Sequence, residues 1–116
     1  MDGAEELILV EATVGDIYRI ENYGIEENSY TVAPMDGMTE SLHEYEKHPI
    51  LMLYEDKMVG FFILQTGESI LRYTSNPQAI LLKAHSVDKR YQQQGYGKLA
   101  MEKLPEFIKE HFPSIN

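Results

Sequence analysis

The sequence predicts an α/β domain of the α+β kind: a mixed, mainly antiparallel sheet with flanking helices, running β-α-α-β-β-β-α. Three observations carry that reading. The chain has 116 residues, 43% of them hydrophobic, and no cysteine; residues 1–116 therefore suit one small core rather than a disulfide scaffold or a disordered acidic tail. Two short apolar runs, residues 50–54 and 58–65, flank a tight turn, which is the pattern of an antiparallel hairpin. From Gly95 onward the apolar spacing becomes helical, with Leu99 or Ala100, Leu104, Phe107 and Ile108 on one stripe.

Each element has a local reason. Leu7, Ile8, Leu9 and Val10 read as a first strand. Thr13 with Asp16 supplies a cap and an early acid for a helix, and Gly24 suits a left-handed residue ending it. Asn28, Ser29, Pro34 and Asp36-Gly37 read as turn signals, so residues 25–38 are expected to be a loop. Ser41 and Glu44 form a capping-box pattern for a short second helix closed by Pro49. After the hairpin, residues 66–78 read as loop or strand extension. Residues 79–87 are the best strand, with Ile80, Leu82, Ala84 and Ser86 on one face and Leu81, Lys83, His85 and Val87 on the other. Pro105 is expected to kink or end the last helix near residues 101–104.

Charge is unevenly shared. Residues 1–60 hold 14 acids and three bases, whereas residues 61–116 hold five acids and seven bases, within a net charge of −9. Lys83, Lys89, Arg90 and Lys98 make one cationic island in an otherwise anionic chain. An island of this kind suits phosphates, and the remaining surface repels nucleic acid, so no nucleic-acid partner is expected. Plain solubilising charge explains the acids equally well. No apolar run approaches the roughly 20 residues of a membrane helix, and the acidic start lacks the basic region of a secretion signal. The expectation is a cytoplasmic protein with no membrane partner. His43, His48 and His111 lack metal-ligand spacing and are expected at the surface, so no metal is expected.

The chemistry is concentrated in residues 87–98, which join the best strand to the last helix. A helix N-terminus presents unpaired N–H groups and partial positive charge to an anion, and glycines there keep side chains out of its way. Gly95, Gly97 and Ala100 fit a relaxed dinucleotide pattern, but no second parallel strand with its acid follows within the chain. Gln92-Gln93-Gln94-Gly95-Tyr96-Gly97 instead satisfies Q/R-x-x-G-x-G/A between a strand and a helix. With the upstream element order, this resembles motif A of the GNAT superfamily of N-acetyltransferases and the first two-thirds of that fold.

The resemblance implies an acetyl-CoA-dependent N-acetyltransferase. The amides of Gln92, Gln93, Gln94, Gly95, Tyr96, Gly97 and Lys98 would bind the pyrophosphate of acetyl-CoA, and the Val87 amide would polarise the thioester carbonyl. A primary amine, either a small amine such as a polyamine or a protein amine, would attack the thioester directly. Such an amine is protonated at neutral pH, so a base is needed. The family often keeps a carboxylate on the long strand, yet no acid lies between Ser69 and Val87. His85 is the nearest titratable candidate for catalytic base or water-relay partner, and a structural histidine is the alternative. The resemblance assigns acceptor choice to residues 24–39 and 66–78. Glu26, Glu27 and Asp36 in the first would attract a cationic amine, or are ordinary solvated acids.

The resemblance further implies a domain stopping before its fifth strand, with the tyrosine that protonates the leaving thiolate unassigned. The exposed edge of the long strand is then expected to pair, as a homodimer or with another element. A non-catalytic acyl-CoA-binding or interaction module, and an inactive fragment, are the other readings this sequence supports.

Overall fold

The computed structural model describes residues 7–24, 34–44, 46–76 and 79–112. Four strands, β1 (Leu7–Glu11), β2 (Lys47–Tyr54), β3 (Lys57–Gln65) and β4 (Leu81–Val87), form one sheet in the order β1-β2-β3-β4, every neighbouring pair antiparallel. Helices α1 (Ile17–Glu21) and α2 (Pro34–His43) cover one face of the sheet, and α3 (Tyr96–His111) covers the other. The predicted class and element order are those of the structure.

The central strands explain the long apolar runs. Ile50, Met52, Val59, Phe62 and Leu64 face α3, where they meet Ala100 and Phe107. Leu51, Leu53, Met58, Phe61 and Ile63 face the opposite way, toward Ile20 of α1 and Met38 of α2. A strand covered on both faces loses its polar alternation, and burying each such side chain contributes about 1.5–3 kcal/mol. The β2–β3 turn puts Glu55 (φ 52°) and Asp56 (φ 67°) in the left-handed region, as a two-residue turn matched to strand twist requires.

Several local expectations are corrected. The capping box at Ser41 does not exist: α2 opens at Pro34, whose fixed φ suits a first turn, and Ser41 Oγ donates to the Gly37 carbonyl at 2.9 Å in the helix interior. Gly37 is a contact residue, since a Cβ there would approach the Phe61 ring to 2.9 Å. Asp36 accordingly belongs to the first turn of α2, while Glu26 and Glu27 lie outside the described residues. Capping at Thr13 is real, with Thr13 N–H donating to Asp16 Oδ2 at 2.9 Å, but α1 ends at Glu21 and Gly24 is not left-handed.

Pro49 lies inside β2 rather than closing a helix. Residues 67–72 form a 3-10 helix (Gly67–Arg72). Helix α3 runs unbroken through Pro105. Met101 and Pro105 are both exposed, so solvent can meet the carbonyl that proline leaves unbonded. Of the two stripe candidates, Ala100 is buried and Leu99 is 39% exposed. His43 and His111 are exposed, as expected, while His48 is only partly so: its Nδ1 lies 3.1 Å from Glu11 Oε2 and its ring meets Phe112 edge-on. His111 stacks on Phe107.

Candidate acyl-donor site at the end of β4

The site begins with a bulge. Phe61 opposes Ser86 and Ile63 opposes Lys83, so Phe62 faces two residues, Ala84 and His85. Ala84 takes up the extra length with a left-handed φ of 56°. Strict alternation along β4 is therefore wrong, because one inserted residue reverses which face the following side chains occupy. Leu82 and Val87 both pack on the α3-side core, whereas Ala84 packs on the α1/α2 side. His85 moves to the α3 side with Val87: a Cβ built on Gly97 would lie 3.5 Å from His85 Cε1.

The ladder then aims the Val87 backbone. Asp88 N–H donates to the Val59 carbonyl at 2.8 Å, which makes Gly60 and Val87 a non-hydrogen-bonded pair. The N–H and C=O of Val87 point away from β3, toward the outer edge of β4. On that side Gln92 Nε2 donates to the Val87 carbonyl at 3.2 Å.

Residues 88–95 turn the chain into α3 using two left-handed residues, Gln93 (φ 64°) and Gly95 (φ 86°). Gly95 is the N-cap, and it brings no side chain to bond the first turn. The first helical bond is Leu99 N–H to the Gly95 carbonyl, 3.0 Å, so the N–H groups of Tyr96, Gly97 and Lys98 have no intrahelical acceptor. Among the described residues the space beside Gly95 is open, with nothing within 4 Å of a built Cβ. Backbone amides and the positive end of the α3 dipole face that space, with exposed Lys98 in the first turn of α3, whereas the Lys89 side chain packs at Gly24. Tyr96 is half-buried, its ring 5.2 Å from that of Tyr54, so the backbone rather than the ring is its offering. All the expected site residues are thus brought together: His85 and Val87 at the strand end, Gln92, Gln93 and Gln94 in the turn, and Gly95, Tyr96, Gly97 and Lys98 at the helix start.

His85 remains exposed on β4, and the partial burial of its imidazole lowers its pKa from the ordinary 6.5, which favours the neutral ring.

Three features escaped the sequence reading. Arg90 does not serve the cationic island; it pairs with Asp88 (Nη2–Oδ2, 2.7 Å) and donates to the Asn22 carbonyl at 2.7 Å. Asp88 is fully buried. Burial raises its pKa, but the Arg90 guanidinium and the amides of Gly24 and Arg90 outweigh this and hold it below the usual carboxylate value. Tyr23 Oη lies 2.8 Å from Ser86 Oγ on the α1 side, and burial pushes the phenol pKa well up, so it stays protonated. The only sequence signal was a lone acid two residues before an arginine inside a basic stretch.

A sheet of four antiparallel strands, bulged at its outer strand, leads here through a glycine turn into a helix whose first amides are unspent, an arrangement that can receive an anion. The comparisons specify the family. The acetyltransferase (GNAT) family model matches residues 14–115, and the chain belongs to that family. It is 34% identical over 89 residues to the uncharacterized N-acetyltransferase YbbJ of Bacillus subtilis (strain 168), covering 76% of this chain and 56% of the relative. The chain thus spans little more than half the length of that curated relative. Among solved structures, a GNAT family acetyltransferase of Staphylococcus aureus subsp. aureus USA300_TCH1516 superposes with a TM-score of 0.61 at 15% identity, over 90% of this chain and 79% of that one. An acetyltransferase of Thermus thermophilus gives 0.58 at 16% identity, over 95% and 71%. The aminoglycoside acetyltransferase meta-AAC0020 from an uncultured soil metagenomic sample, solved with trehalose, gives 0.53 at 18%, over 95% and 73%. At these identities the likeness concerns the fold.

Proposed function

We propose that this chain carries the donor-binding site of an N-acetyltransferase that moves an acetyl group from acetyl-CoA to a primary amine. The observation that carries the reading is the pairing, within one turn of chain, of an edge-directed Val87 N–H with the uncapped amides of Tyr96, Gly97 and Lys98. In this reading the residue 92–98 amides hold the donor's pyrophosphate, and Lys98 in the first turn of α3 adds charge beside it. The Val87 N–H donates to the thioester carbonyl oxygen, where negative charge develops during attack. The amine nitrogen bonds to the carbonyl carbon as the C–S bond breaks, and the departing thiolate takes a proton from solvent, balancing the one the amine gives up.

His85, its neutral ring favoured and beside Gly97, accepts the proton released by the amine, directly or through water. The acceptor is a small or protein amine, and the acidic residues Glu26 and Glu27 would favour a cationic one. An aminoglycoside acetyltransferase among the structural neighbours supports including aminoglycosides in the acceptor panel. The outer edge of β4 suits an extended partner: the donor's pantetheine arm, or a second copy in a homodimer. Sedimentation over a concentration series tests the dimer, and a single concentration-independent monomer speaks against it.

Calorimetric titration with CoA tests the donor site, and absence of heat overturns it. Thiol release from acetyl-CoA over polyamines, amino acids and aminoglycosides then tests transfer. Binding without release from any amine would favour a non-catalytic CoA-binding module.

A further inference from the structure

Two stretches of chain far apart in sequence, residues 22–24 after α1 and residues 86–90 at the end of β4, are sewn together by a polar seam. Arg90 Nη2 donates to the Asn22 carbonyl at 2.7 Å, Tyr23 Oη meets Ser86 Oγ at 2.8 Å, and Gly24 N–H donates to Asp88 Oδ2 at 2.8 Å. Lys89 N–H returns a bond to the Gly24 carbonyl at 2.9 Å. Gly24 fits because it lacks a side chain: a Cβ would crowd Lys89 Cγ at 3.1 Å and Asp88 Oδ1 at 3.3 Å.

Asp88 is the centre of the seam. Its Oδ1 also accepts from Arg90 N–H at 2.9 Å and Arg90 Nε at 3.0 Å, and its own N–H holds the Val59 carbonyl at 2.8 Å. Burying an ionised carboxylate is costly unless donors converge on it, and here they come from both sides of the seam. The same residue sits between Val87 and the loop. Its N–H bond to Val59 sets the ladder phase that turns Val87 outward, and its carboxylate fixes the first turn of the chain leading to Gly95.

We propose that Asp88 is a positioning residue for acyl transfer, locking the end of β4 to the end of α1 so that the Val87 amide and the residue 92–98 amides stand assembled before the donor arrives. This rests on the acetyl-CoA reading above.

The test compares the wild-type chain with Asp88→Asn and Arg90→Gln, at a temperature where circular dichroism shows each to be folded. Calorimetry with CoA is expected to give a Kd raised about 100-fold in Asp88→Asn, the scale of loss from misplacing a preorganised site. Arg90→Gln, which leaves two amides on Asp88, is expected to give a smaller rise of about tenfold. Folded variants that bind CoA as the wild type does would overturn the proposal and leave Asp88 a stabilising contact only. Should Asp88→Asn not fold, Arg90→Gln decides on the same readout.

Amide hydrogen exchange of Gly24 and Lys89, bonded across the seam, and of Leu99, bonded to the Gly95 carbonyl, reads the lock without CoA. It is expected to quicken in the variants beyond the change seen in the β2–β3 core, and uniform quickening would overturn the lock. If wild type takes up no CoA, the acetyltransferase reading fails while the exchange comparison still decides the lock.

Discussion

Two places in this molecule use a pair of left-handed residues, and they do opposite things with them. In the hairpin turn, Glu55 and Asp56 reverse the chain so that Tyr54 pairs with Lys57 and the ladder closes on itself. Arg19 of α1 bonds the Asp56 carboxylate and tethers the turn. In the 88–95 loop, Gln93 and Gly95 also turn the chain, but the next element is a helix. Its first N–H groups have no carbonyl behind them, so the turn ends in unspent donors. The same local conformation thus closes a ladder where a strand returns and leaves donors unspent where a helix begins. The side chains agree: the hairpin tolerates Glu and Asp at left-handed positions, whereas the loop places glycine at the helix cap, where a capping side chain would consume the amides a ligand needs.

The comparison can be broken from either side. The largest effect is expected for Gly97→Val, whose side chain would cover the first turn of α3 beside His85. CoA affinity measured by calorimetry should fall about 100-fold, equivalent to losing about two charge-assisted hydrogen bonds. An unchanged Kd would remove the amide cradle from this loop. Gly95→Ala meets open space, so its cost is backbone strain: about 1–2 kcal/mol of stability in denaturant titration, with only a severalfold loss of CoA affinity.

His85→Gln sharpens the chemical half. Because burial lowers the folded pKa of His85 beneath 6.5, the wild-type kcat/KM should rise as pH climbs through that lowered value and level off above it. The variant should instead follow the free-amine fraction and keep rising toward alkaline pH; identical profiles would exclude His85 as base. The same shift gives a stability contribution that is complete above pH 6.5 and lost as pH falls through the folded pKa. The smallest effect belongs to the hairpin. Glu55→Asn supplies a residue at ease with positive φ and should add about 0.5–1 kcal/mol of stability, leaving the Kd for CoA unchanged. A changed Kd would mean that the two turns are coupled.

Much of this was legible because it is local. The β2–β3 hairpin followed from two apolar runs around a turn, and the loop from glycines placed between a strand and a helix. What failed was also local in appearance: Asp36-Gly37 looked like a turn and Gly24 like a helix cap. Both glycines are small because something large lies against them, the Phe61 ring for Gly37 and the Lys89 and Asp88 side chains for Gly24. A pattern read along the chain cannot distinguish a glycine chosen for its torsions from one chosen for a neighbour 24 or 64 positions away. The face assignment of His85 failed for a related reason, because a single bulge at Ala84 shifts the parity of everything after it.

The sequence by itself determined the element order, the continuous apolar strands of a doubly covered sheet and the position of the glycine turn into α3. All three depend on composition and spacing over a few residues. Only the tertiary structure decided that Val87 points its amide to the outer edge, that His85 stands by α3, and that Arg90 serves Asp88 and α1 rather than an anion. Those depend on strand register and on burial, which arise when distant segments compete for the same space and the same hydrogen bonds.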